Sequence, residues 1–199
     1  VSSGMDSMVN HYTANKRLRH DDAFTPGGKS GFRPDYAVYV YTQILKKLFP
    51  ETPVIIGGLE SSLRRISHYD YWQNKIKPSI LFDTNADLLV YGMGEKPLKE
   101  IIRLIKKGVP IKNMNSIPQT AYLTPKENVP KNKLWEDLQL SDFEECEKDK
   151  QIQFKNFRLF EIETNKMHSK RIIQNVQDKS VVVNPPYPPM AYGELDESF

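Results

Sequence analysis

The sequence predicts an α/β protein: a parallel sheet flanked by helices, with a helical appendage toward its C-terminal side. Two runs carry the sheet. Val54–Ile55–Ile56 is apolar and stops at Gly57–Gly58, and Leu88–Leu89–Val90–Tyr91 stops at Gly92–Met93–Gly94. Strands buried on both faces read as continuous apolar runs, and glycine marks where such a run turns away from the sheet. The third observation is the order helix, strand, helix, strand, helix, which fits parallel strands joined by crossover helices.

From the N-terminus, Met5 to about Ala14 is expected to form a short helix, with Asp6 or Ser7 near its N-cap. Lys16 to Arg33 is polar, glycine-bearing and irregular. A helix should begin near Asp35, bury the stripe Ala37, Tyr41, Ile44, Leu45 and Leu48, and stop at Pro50. Strand Val54–Ile56 follows. Ser67 to Lys77 is crowded with Tyr69, Tyr71 and Trp72, and Ser79–Phe82 reads equally as strand or helical turn. After strand Leu88–Tyr91, a helix uses Leu98, Ile101, Ile102 and Ile105, with Pro97 early, Lys106–Lys107 in its last turn and Gly108 as C-cap. Ala121–Leu123 fits an edge strand.

Organisation changes near residue 124. The reading is an α/β domain over 1–124, a linker and helical appendage over 125–178, and a strand with a Pro-rich bridge over 179–199. Ser141 to about Thr164 should be one helix, with Ser141 and Glu144 as capping box and Phe143, Cys146, Phe154, Phe157 and Phe160 as its face. Ser180–Val183 is a further strand, and Asn184–Pro189 is stiff and extended.

The 199 residues, 39% of them hydrophobic, suffice for one domain with a real core. A net charge of +3 is too mild to argue for nucleic acid by itself. No apolar run is long enough for a transmembrane helix, and Val1–Ser2–Ser3–Gly4 lacks the features of a signal peptide. It reads instead as the tail of a strand, so the sequence is taken as an internal piece of a larger protein. Cys146 is the single cysteine, which excludes a disulfide scaffold or multi-cysteine zinc site, and points to a reducing cytoplasm. The histidines His11, His20, His68 and His168 lack paired ligand spacing, so no metal site is expected within the chain.

Ala23 to Ser30 formally matches a relaxed P-loop, but polar residues precede it and Gly31–Phe32–Arg33–Pro34 follow it. A phosphate-cradling loop needs a buried strand before and a helix after. In parallel sheets, loops leaving the carboxyl ends of strands line the binding crevice. That principle makes Gly57, Gly58, Glu60, Arg64, Arg65, His68, Asp70, Gly92, Gly94 and Glu95 the substrate-facing candidates. The arginines offer forked donors to an anion, and an unperturbed His68 would titrate near neutral pH. Arg64 and Arg65 could equally bridge Asp70 or Asp83 structurally, and Glu95 could simply complement a helix N-terminus.

Several long stretches are specific: GMDSMVNHYTANKRLRHDDAFTPGG from Gly4, RPDYAVYVYTQILKKLFPETPVIIGGLESSLRRISHYDYW from Arg33, ADLLVYGMGEKPL from Ala86, and VVVNPPYPP from Val181. In these the chain resembles the YgiQ-like radical SAM proteins, a bacterial family of uncharacterised function. The resemblance implies an N-terminal domain followed by a radical SAM barrel, whose three cysteines hold a [4Fe–4S] cluster that cleaves S-adenosylmethionine. None of those cysteines is in this sequence. The strand–glycine units also look like the Rossmann-like, cobalamin-binding-type domain of many radical SAM enzymes, although cobalamin itself is not expected here. The expectation is a substrate-facing accessory domain whose partner is its own barrel. The alternative is a non-catalytic RNA- or anion-binding module using Arg17, Arg19, Arg64 and Arg65. A contiguous basic face would favour the module, and a cleft of mixed charge the lid.

Overall fold

The computed structural model describes residues 1–3, 7–189 and 193. Of the two expected N-cap candidates, Asp6 lies outside the described residues and Ser7 is the first residue of α1. In chain order the elements are β1 (Ser2–Ser3), α1 (Ser7–His11), α2 (Ala37–Leu48), β2 (Ile55–Gly57), α3 (Gly58–Leu63), β3 (His68–Asp70), β4 (Lys75–Lys77), α4 (Ile80–Thr84), β5 (Leu88–Val90), α5 (Glu95–Lys106), β6 (Thr120–Pro125), β7 (Asp137–Gln139), α6 (Phe143–Lys148), α7 (Lys150–Thr164), β8 (Arg171–Val176) and β9 (Lys179–Val183).

Seven strands form one sheet in the order β1-β2-β5-β6-β9-β8-β7, and β3 and β4 form a separate antiparallel hairpin. The two apolar runs are parallel neighbours, with Ile55 opposite Leu88 and Ile56 opposite Leu89. β1 joins them in parallel, and the remaining pairs are antiparallel except β7 with β8. The carboxyl ends of β1, β2, β5 and β9 therefore emerge on one side, beside the amino end of β6.

Each face of the sheet has its own core, because side chains alternate along a strand. Leu89, Tyr91, Ala121, Val181 and Val183 pack with Val38, Leu81, Phe143, Cys146 and Phe160 from α2, α4, α6 and α7. Leu88, Val90, Tyr122 and Val182 pack on the other face with Ile101 of α5, and with Met114 and Ile117. At the average coefficient of ~25 cal/mol per Å² of buried apolar surface, each large side chain sealed here contributes about 1.5–3 kcal/mol.

Several sequence expectations change. Ala121–Leu123 is not an edge strand: β6 lies inside the sheet, between β5 and β9. The long helix is two helices. Asp149 sits in an extended conformation between them, and its carboxylate accepts the Gln151 N–H at 2.8 Å, starting α7 afresh. The capping box belongs to Asp142 and Glu145 rather than Ser141 and Glu144. The segment 125–178 carries its expected helices and also β7 and β8, which extend the same sheet across residue 124.

The helix faces also differ from the apolar stripes. On α2 the buried residues are Ala37, Val38 and Thr42, whereas Tyr41, Ile44 and Leu48 are exposed. On α5, Pro97 and Ile101 point inward while Leu98, Ile102 and Ile105 face out. On α7, Gln153, Asn156 and Phe160 are buried while Phe154 and Phe157 are exposed. On α7 the inward polar residues meet partners: Gln153 bonds Ser67, and Asn156 donates to the Ser141 carbonyl.

Candidate functional site

β2 runs directly into α3 through Gly57 and Gly58. A Cβ on Gly57 would lie 3.1 Å from the Val90 carbonyl oxygen of the neighbouring strand, so glycine permits the close pairing there. Within α3, Glu60 is fully buried and pairs with Arg64 one turn later, Oε1 to Nη1 3.0 Å. The spacing i, i+4 places both side chains on one helical face.

Arg64 also lies over Tyr36, 5.7 Å from guanidinium carbon to ring centroid. The Tyr36 hydroxyl donates to Asp70 at 2.7 Å. Asp70 further accepts the backbone N–H groups of Trp72 at 2.8 Å and Gln73 at 3.0 Å. Burial opposes its ionisation, but these bonds, with the charge of Lys77, hold its carboxyl below the usual carboxylate range. Burial and the Asp70 carboxylate push the Tyr36 phenol well up.

His68 opens the β3–β4 hairpin, its Nδ1 3.3 Å from the Ile66 carbonyl. Burial first, and the Arg64 charge second, lower its pKa to about 4. The expectation that it titrates near neutral pH is therefore corrected: His68 is a neutral imidazole at pH 7. Desolvation disfavours the cation, and no carboxylate stands close enough to outweigh Arg64.

Glu60, Arg64, His68 and Asp70 thus gather around Tyr36, and Arg64 with His68 forms the partition between two cavities. One, of about 240 Å³, has Tyr36, Glu60, Lys77 and Asp83 in its wall. The other, of about 550 Å³, lies between residues 8–19 and 63–72. Its charges are mixed, and Tyr12, Tyr69, Tyr71 and Trp72 contribute aromatic rings to its wall.

Arg65 turns elsewhere. Its guanidinium carbon lies 4.6 Å from the Tyr91 ring centroid and 4.5 Å from that of Phe160, and its Nη1 donates to the Ser62 carbonyl. Burial in this seam lowers its pKa. Gly92 has φ +65°, and its N–H donates to Ser62 Oγ at 3.3 Å, which ties the second glycine loop to α3. Gly94 is the N-cap of α5, and Glu95 is exposed in its first turn. Gly92, Gly94 and Glu95 line neither cavity, so the candidates divide between the Tyr36 cluster, the Arg65 seam and the α5 start.

The sequence reading missed Gln119. It has φ +64°, and its amide donates to the carbonyls of Tyr91, at 2.8 Å, and of Met93, so it clamps the second glycine loop from below. Its own N–H donates to the Pro185 carbonyl at 2.8 Å, and Tyr91 Oη donates to the Asn184 carbonyl at 2.6 Å. No local signal marks Gln119, because its partners are remote in sequence.

The relative of a P-loop at Pro26–Gly28 is a short 3-10 turn with no strand entering it. Cys146 is fully buried, and burial pushes its thiol pKa up. Among the described residues no group of three or more His, Cys, Asp or Glu could hold a metal ion. A cluster held on three thiolates does not fit a chain with one buried cysteine. Among the described residues no helix is long and apolar enough to cross a membrane.

A mixed sheet flanked by helices, with its two glycine loops at one edge, places the chain in the α/β class. The chain belongs to the Radical SAM N-terminal family, whose model matches residues 1–199. It is 54% identical over 200 residues to a UPF0313 protein of Porphyromonas gingivalis, covering 100% of this chain and 31% of that protein. A UPF0313 protein of Bacteroides thetaiotaomicron is 53% identical over 217 residues, covering 100% of this chain and 34% of the relative. One of Geobacter sulfurreducens is 43% identical over 200 residues, covering 100% and 33%. The chain spans about a third of the length of these relatives. No solved structure matches it.

Proposed function

We propose that this chain is the substrate-facing accessory domain of a radical SAM iron–sulfur enzyme, working in the cytoplasm against its own barrel. The observation that carries this reading is the mixed-charge cavity pair around Arg64, His68 and Asp70. A contiguous basic face would have favoured RNA binding, but Arg65 is half-buried between Tyr91 and Phe160, and Arg64 is paired with Glu60. The uncovered apolar residues of α2, α5 and α7 are the kind of surface that packs against further protein.

The [4Fe–4S] cluster and S-adenosylmethionine are implied for the whole protein by its family and would sit outside this chain. When bound they supply a 5′-deoxyadenosyl radical. This chain's residues would position the substrate: Arg64 by charge, Asp70 as an ionised acceptor, and His68 as a neutral ring.

The test is anaerobic reconstitution of the full-length protein with iron, sulfide, S-adenosylmethionine and reductant. Production of 5′-deoxyadenosine is expected, and the 199-residue chain treated identically should stay colourless and bind no stoichiometric iron. A full-length protein that forms no cluster, or a brown short chain, would overturn the assignment.

A further inference from the structure

The larger cavity has a composition that goes beyond an accessory role. Its lining joins Met8, Val9, Tyr12 and Arg19 from the N-terminal segment with Arg64, His68, Tyr69, Tyr71 and Trp72. Its volume, about 550 Å³, is in the range that holds a small organic ligand. We propose that this cavity binds a planar ring carrying an anionic group, of the mononucleotide type. The proposal adds a ligand class to the reading above, and it stands or falls by binding rather than by turnover.

The aromatic wall is held in place. Tyr12 and Trp72 stack with centroids 4.2 Å apart and planes 34° apart. The Tyr12 hydroxyl donates to Asp35 at 3.1 Å, and the Tyr71 hydroxyl donates to the Ala14 carbonyl at 3.0 Å. Tyr69 is fixed by Asn74 Oδ1 at 2.7 Å. Hydroxyls already engaged by protein partners leave ring faces and edges to meet a ligand. Tyr69 and Tyr71 are nonetheless half exposed, at 49% and 59%. Rigid, exposed aromatic surface is what planar rings stack upon, at low entropic cost.

The charges set the sign of the ligand. Arg19 lines the cavity, and no ion pair of its side chain is seen among the described residues. Lys16 Nζ stands 4.7 Å from the Tyr71 ring centroid and 5.5 Å from that of Trp72, and donates to the Trp72 carbonyl at 3.1 Å. The carboxylate among the lining residues, Asp70, already accepts from the Tyr36 hydroxyl and two backbone N–H groups. Most of its acceptor capacity is thus engaged inside the protein. A guanidinium is the natural partner of a phosphate or carboxylate, through two parallel hydrogen bonds. His68, neutral at pH 7, adds a hydrogen-bonding ring without altering that balance.

The experiment is isothermal titration of the 199-residue chain with guanosine 5′-monophosphate, guanosine, ribose 5-phosphate, and a 5′-phosphorylated pentaribonucleotide. The monophosphate should bind, with guanosine and ribose 5-phosphate each weaker by about tenfold or more, since each lacks one half of the recognition. Equal affinity for monophosphate and pentanucleotide would assign a free nucleotide as the ligand, and tighter binding of the pentanucleotide an RNA end. Arg19→Gln should weaken the phosphorylated ligands about tenfold and leave guanosine unchanged. Tyr71→Leu, at an exposed ring, should weaken every ring-bearing ligand while the far-ultraviolet circular dichroism stays that of the parent. No detectable binding of the monophosphate, equal binding of all three small probes, or indifference to both substitutions would overturn the proposal. None of those results would touch cluster formation or 5′-deoxyadenosine production, so the two readings fail separately.

Discussion

Ser67 and Gln174 meet in the interior although 107 residues separate them: the Ser67 N–H donates to Gln174 Oε1 at 2.8 Å, and Gln174 Nε2 donates to Ser67 Oγ at 2.7 Å. Gln153 of α7 completes the knot, accepting from Ser67 Oγ at 2.8 Å and donating to the Ser67 carbonyl at 3.1 Å. Ser67 and Gln174 are both buried. The knot ties the hairpin that bears His68 and Asp70 to β8 and α7.

Replacing Gln174 by alanine should therefore cost about 2–4 kcal/mol, because it leaves the Ser67 N–H without its acceptor and opens a small void. Urea denaturation measures it. Ser67→Ala and Gln174→Ala together should cost less than the sum of the two, since they share one set of bonds. Strict additivity would show that the knot is not cooperative.

Arg65→Ala should destabilise the chain by about 2–4 kcal/mol, since it removes a guanidinium packed between Tyr91 and Phe160 and strands the Ser62 carbonyl. Arg65→Lys should recover less than half of that loss, because an ammonium cannot stack flat between two rings. Thermal unfolding followed by circular dichroism is the measurement. A variant as stable as the parent, yet inactive in the full-length enzyme, would instead make Arg65 a substrate contact.

His68 gives a pH dependence of known sign. Its folded pKa is about 4, against an ordinary 6.5, so the unfolded chain binds more protons between those values. Stability is then greatest above about pH 6.5 and falls as the pH drops toward 4. The loss from this one residue between about pH 7 and pH 5 is roughly 2 kcal/mol. His68→Gln should flatten the urea midpoint across that interval. An unchanged slope would show that His68 is charged in the folded protein.

Gly92→Ala should cost about 1–2 kcal/mol, because it places a side chain at φ +65° with its Cβ 3.1 Å from Gln119 Nε2. Adding Gln119→Ala should relieve the crowding but not the backbone strain. Amide exchange of the Gly92 and Met93 N–H groups would report loosening of the loop.

The parallel pair β2–β5 was legible because an apolar run, a glycine stop and an intervening helix are all local signals. β6 was misplaced at an edge because its second partner, β9, lies some 60 residues downstream, and no local pattern announces that pairing. Arg171–Val176 escaped notice as a strand: its polar Arg171 and Gln174 look solvent-facing in sequence, yet Arg171 is buried against Asp137, and Gln174 in the Ser67 knot. The same reversal explains α7, where Gln153 and Asn156 turn inward while Phe154 and Phe157 do not. In the candidate site, residue types were legible, but their division was not. Neighbours in sequence, Arg64 and Arg65 point to different sides of one short helix end.

The insertion of β9 between β6 and β8 sets a timetable for synthesis. A nascent chain released from the ribosome only to residue 125 has β1, β2, β5 and β6 available, but β6 then presents a bare row of amides and carbonyls. Such an edge invites pairing with other chains until its rightful neighbour is made. That neighbour ends at Val183, so the sheet closes only when nearly all of these residues have left the tunnel. A stalled or proteolysed product ending near residue 125 should accordingly aggregate, whereas one ending beyond Asn184 should not.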